Sequence, residues 1–116
     1  MYKWPRELVP SVFQGLSVES ICFSLNTINI NFNGEYSITL ESKAQLIVGQ
    51  IQMTVEVPPT NADILRVLGK TVIASTVDQD GASLILEFDD VQLRLDGDND
   101  VYECFHLRLS GREFII

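Results

Sequence analysis

Over most of the chain, apolar and polar residues alternate with a period of two, the pattern of strands that bury one face. Residues 1–17 stand apart. Pro5, Pro10 and Gly15 punctuate an irregular lead with at most one short helical turn, for which Trp4, Leu8, Val9, Val12 and Phe13 are the possible anchors. From Val18 the alternation sets in with Ile21, Phe23 and Leu25, continues through Ile28, Ile30 and Phe32, and returns after Asn33-Gly34 with Tyr36, Ile38 and Leu40. Side-chain parity selects the turn. A two-residue loop would set Phe32 against Glu35 and mix polar with apolar on one face, whereas a loop of Asn33 to Glu35 pairs Phe32 with Tyr36, Ile30 with Ile38 and Ile28 with Leu40.

A further strand is predicted over 44–57, with Ile51, Met53, Val55 and Val57 inward and a bend at Gly49; Pro58-Pro59 ends it. Thr60-Asn61-Ala62-Asp63 resembles a capping box, so a short helix is expected over about 61–68, closed by Gly69. The last third is read as strands again. Residues 71–77 and 82–88 flank Asp78-Gln79-Asp80-Gly81, with Ile73 opposite Leu86. The Asp89-Asp90 turn sets Phe88, Leu86 and Leu84 against Val91, Leu93 and Leu95. Strands 101–109 and 112–116 flank Ser110-Gly111, with Leu107 opposite Phe114 and Phe105 opposite Ile116. The expected architecture is an α+β domain, mostly antiparallel sheet with one short helix, spanning 1–116 without an internal repeat of fixed period.

Length and composition suit this reading. A chain of 116 residues, 46% hydrophobic and 21% charged, supports one core and is not that of a disordered segment. No apolar run approaches a membrane span, and the first residues lack the apolar stretch of a signal peptide, so a cytoplasmic protein is expected. Cys22 and Cys104 do not make a disulfide framework. The net charge is −8, and it is unevenly placed: nine acidic residues lie between Asp78 and Glu103 against a single Arg94. This balance disfavours direct contact with nucleic acid and predicts an acidic flank.

Reactive chemistry finds little support. His106 is the one histidine, and Cys104, two residues earlier on the same strand face, would stand about 6.6 Å away, beyond hydrogen-bond reach. Two distant cysteines and one histidine give no zinc spacing. Asp96-x-Asp98-x-Asp100 imitates a calcium loop, but its glycine is misplaced and Leu107 stands where a bidentate glutamate belongs. Glu87, Asp89 and Asp90 could be drawn as a carboxylate pair, yet aspartates at turns arise without catalysis. No enzyme activity, cofactor or metal is expected. A partner-binding surface is expected instead, from Asp89, Asp90, Asp96, Asp98, Asp100 and Glu103, joined by Tyr102, His106 and Arg108 on the polar face of strand 101–109.

Residues 68–109 resemble a family of small bacterial domains of unknown function, through Leu68-Gly69-Lys70-Thr71-Val72, Asp80-Gly81, Leu84, Leu86, Phe88-Asp89-Asp90 and Tyr102-Glu103 with Phe105. That resemblance implies no chemistry. By type, a small acidic chain of this kind is similar to immunity proteins of bacterial toxin systems such as contact-dependent growth inhibition. The leading expectation is therefore an immunity or inhibitor protein that covers the substrate site of a cationic toxin nuclease with an acidic face. The alternative is a non-catalytic structural or ligand-binding domain whose acidity serves solubility.

Overall fold

A computed structural model describes residues 4, 5, 8–97 and 105–116. Among these, ten antiparallel strands form two five-stranded sheets. The first sheet has the order β1 (Val18–Phe23), β2 (Ile28–Phe32), β3 (Tyr36–Leu40), β9 (Phe105–Leu109), β10 (Arg112–Ile115). The second has the order β5 (Ile51–Glu56), β4 (Lys43–Val48), β8 (Gln92–Leu95), β7 (Leu84–Glu87), β6 (Ala74–Val77). Ile28, Ile30, Ile38, Leu40, Phe105 and Leu107 from one sheet and Leu46, Leu84, Leu86, Leu93 and Leu95 from the other belong to one apolar cluster. Each such side chain, fully buried, contributes about 1.5–3 kcal/mol. The period-two pattern thus sets the outcome: alternate residues fill the core and their neighbours face outward.

The fold is predominantly β, and the helix expected over 61–68 is a correction. Asp63–Val67 forms only a 3₁₀ turn, η2, matched by a second, η1, at Pro10–Phe13. The segment between Pro58-Pro59 and Gly69, which has a φ of +80°, is too short to repay α-helix nucleation. No side chain caps η2 at Ala62; Asn61 instead accepts the Asp63 amide at 3.1 Å in a local turn. The expected strand 44–57 is a hairpin, because Gly49, at a φ of +63°, reverses the chain between β4 and β5. Ile51 is therefore exposed, Met53 is half-buried and Val55 buried. Ser75, not Ile73, stands opposite Leu86, and Ile73 is left exposed at the strand's outer end. The remaining pairings follow the parity argument, including Ile30 with Ile38, Leu86 with Leu93 and Leu107 with Phe114.

The two halves of the chain repeat one plan that the sequence does not announce. Each half is a 3₁₀ turn, a three-stranded meander and a hairpin, and each hairpin joins the meander of the other half. β9–β10 completes the sheet of β1–β3, and β4–β5 completes that of β6–β8. The registers match strand for strand: Asn29 lies opposite Thr39 and Thr39 opposite His106, as Ile85 lies opposite Arg94 and Arg94 opposite Gln45. The halves meet in reciprocal hydrogen bonds. The Gly15 amide donates to the Val72 carbonyl at 2.8 Å and the Gly69 amide to the Val18 carbonyl at 2.9 Å. The Val18 amide donates to Lys70 at 3.0 Å and the Val72 amide to Leu16 at 2.8 Å. The Ser17 and Thr71 hydroxyls face each other at 2.8 Å where the pseudo-twofold passes. Gly15 and Gly69 both have positive φ, +89° and +80°, which glycine adopts without strain.

Candidate functional site

The described part of the acidic segment does not present itself as one surface. Arg94 extends from the outward side of β8 and gathers three of its carboxylates. Its Nε meets Asp96 Oδ1 at 2.9 Å, one Nη meets Asp80 Oδ2 at 3.1 Å, and the other engages Asp78. The Ser83 hydroxyl joins them, donating to Asp80 at 2.5 Å while accepting from Arg94 and from the Gly97 amide. Asp80 Oδ1 also accepts the amides of Ala82 and Ser83 at 2.9 and 2.8 Å, so the β6–β7 loop is built around this carboxylate. Asp96, expected at the binding surface, is buried at 6% exposure. Its charge is matched by Arg94, and it also accepts from Gln45, which in turn accepts from Gln52 and Thr54. These groups on the outer side of the second sheet thus hydrogen-bond to one another.

Asp89 and Asp90 are exposed on the β7–β8 turn, where Lys70 bridges them at 3.5 and 2.9 Å. The hydrogen bond from Lys70 holds the Asp90 carboxyl below the usual carboxylate range, and the same bond raises Lys70. Asp98, Asp100, Tyr102 and Glu103, together with Cys104, lie outside the described residues. His106 and Arg108 lie on β9 in the first sheet, whereas Asp89, Asp90 and Asp96 belong to the second. The expected site residues that are described are therefore divided between two sheets.

The outer face of the first sheet has a different chemistry. Two cross-strand rows cover it: Ser20, Asn31, Ser37, Arg108 and Glu113, and beside them Cys22, Asn29, Thr39, His106 and Ile115. Asn29 donates to Thr39 at 2.7 Å and Asn31 to Ser20 at 3.0 Å, which ties β2 to its neighbours β3 and β1 on this face. His106 Nε2 lies 3.0 Å from Glu41 Oε2, and its Nδ1 lies 3.9 Å from Glu113. Beside Arg108 a depression of about 580 Å³ is lined by Glu19, Asn31, Glu35, Tyr36 and Ser37. Four glutamates, Glu19, Glu35, Glu41 and Glu113, thus accompany one arginine on this side of the molecule.

Sequence reasoning missed these glutamates because they are dispersed at 19, 35, 41 and 113. Only the strand order, which inserts β9 between β3 and β10, brings them to one face. The role of Arg94 did have a signal: it is the lone cation in an acidic stretch.

Among the described residues, no group of three or more His, Cys, Asp or Glu is arranged to hold a metal ion, and no helix is long and apolar enough to cross a membrane. Compared with known proteins, the chain matches no family model, no curated protein and no solved structure.

Proposed function

We propose that the protein is a non-catalytic, cytoplasmic recognition protein of the immunity or inhibitor type, which binds a cationic toxin nuclease and covers its substrate site. The observation that carries this reading is the contrast between two equivalent sheet faces. In the second sheet three carboxylates are drawn together around Arg94 and hydrogen-bonded within the chain, whereas the first carries four glutamates, gathered from separate stretches, against one arginine. A nuclease must be positive where the phosphate backbone lies, so a face with surplus carboxylates complements it. The polar rows of Asn, Ser and Thr suit the hydrogen-bonded part of a protein interface, and Tyr36 and Arg108 are residue types that anchor such contacts.

The test is co-expression with the nuclease toxin encoded beside this chain, counting surviving cells. Protection is expected. Replacing Glu19, Glu35, Glu41 and Glu113 together by Gln should slow association with the purified toxin roughly tenfold at low salt and flatten its salt dependence. Loss of viability despite abundant folded protein would remove the reading.

A further inference from the structure

We infer that the first sheet binds an arginine side chain of the partner across Thr39, against Glu41 and beside His106, in the position that Arg94 takes within the second sheet. The inference rests on the reading that this face meets a cationic protein, and it names the group that the face receives.

The internal repeat supplies the template. By register, Thr39 on β3 is the counterpart of Arg94 on β8, and His106 on β9 is the counterpart of Gln45 on β4. Glu41 directly follows the last residue of β3 as Asp96 directly follows the last residue of β8. The side-chain bond linking these positions is kept in both halves: Gln45 donates to Asp96 at 3.3 Å, and His106 stands 3.0 Å from Glu41. In the second sheet Arg94 lies against that carboxylate, with Nε at 2.9 Å from Asp96. In the first sheet the carboxylate is present and the residue in the place of Arg94 is a threonine, which carries no charge. An arginine brought by a partner would complete the arrangement seen in the other half. Glu41 would take the role of Asp96, and Glu113, 3.9 Å from the far side of His106, would add negative potential.

Arginine fits better than lysine on the same template. A guanidinium can meet Glu41 through its Nε–H, as Arg94 Nε meets Asp96, and still has its Nη groups to donate to the polar rows of the face, whereas a lysine ammonium is a point charge without that planar geometry. The occupant is therefore a protein segment presenting arginine.

Tetra-arginine amide, with tetra-lysine amide as its comparison, can be titrated into the full chain at low salt while the backbone amides are followed by NMR. Saturable shifts centred on Thr39, Glu41 and His106 are expected, with arginine binding the tighter. Glu41→Gln should raise the Kd for tetra-arginine about three- to fivefold, the range of one exposed ion pair. Thr39→Arg should fill the position from within and abolish the shifts while leaving the thermal midpoint unchanged or raised. Shifts centred instead on the Asp89-Asp90 turn, or equal binding by wild type and Glu41→Gln, would overturn the proposal even if Thr39→Arg fails to fold. A chain that binds tetra-arginine at Thr39 without protecting cells keeps this inference and loses the immunity reading; protection without binding there does the reverse.

Discussion

At Gly97 the chain passes so close to the β6–β7 loop that a methyl group would stand 2.5 Å from the Ala82 carbonyl oxygen. The contact is with backbone, which cannot rotate away, so glycine is required for proximity. Gly97→Ala should cost about 1–3 kcal/mol, read as a lowered denaturation midpoint, because overpacking here displaces the Ser83 hydroxyl that meets both Asp80 and Arg94. Lys70 and Asp90 give a second expectation at this scale. Since Asp90 is held below its ordinary range, its contribution to stability is present above that range and fades as pH falls through the depressed value. Lys70, raised, contributes below the ordinary lysine range and stops contributing as pH rises through its higher one. In Lys70→Met the Asp90 carboxyl should titrate nearer the usual aspartate value, as carbon-detected NMR of the side chain would record. The lysine and the turn aspartates stand some 20 residues apart in sequence, and nothing in the alternation of strand residues brings them together.

Among the elements, the β2–β3, β7–β8 and β9–β10 hairpins were legible, the β4–β5 hairpin passed for one strand over 44–57, and the assembly was not legible. Parity placed Ile28, Ile30 and Phe32 against Leu40, Ile38 and Tyr36 because a wrong turn length would have sent apolar groups to water. The same logic gave the β7–β8 and β9–β10 pairs. It failed at Ile73, where the β6–β7 loop is longer than its Asp-Gly signal implies, since Asp80 orders Ala82 and Ser83 into the turn. It also failed at 61–68, where a plausible cap pattern lacked the length to sustain a helix. The repeat escaped notice for a related reason. Its matched positions, such as Thr39 with Arg94 and His106 with Gln45, share register without sharing residue type. Gly15 with Gly69 and Val18 with Val72 do share it, and the two glycines have open space around each absent Cβ. Gly15→Ala and Gly69→Ala should each destabilise by about 1–2 kcal/mol, the conformational cost alone, and calorimetry should find the two nearly equal.

For the molecule as a whole, net charge was readable from the sequence and its placement was not. Counting carboxylates along the chain pointed to the segment from Asp78 to Glu103, but Asp78, Asp80 and Asp96 surround Arg94. The surplus instead includes glutamates drawn from four separate stretches onto the first sheet. Charge density along a chain predicts surface potential only where the fold leaves each group without an internal counter-charge. The candidate face itself could be half read: the alternation sets His106 and Arg108 on the outward side of their strand, while their neighbours Ser37, Thr39 and Glu113 depend on which strands adjoin.

The exchange of hairpins bears on how the protein is made. The first sheet cannot close until the ribosome has delivered β9 and β10, because β9 covers the inner edge of β3. During synthesis the meander of β1–β3 must wait with an unpaired edge and a bare apolar face, the state in which nascent chains associate wrongly and attract chaperones. A message cut short before residue 105 would therefore yield a product lacking two of the five strands of that sheet and marked for degradation.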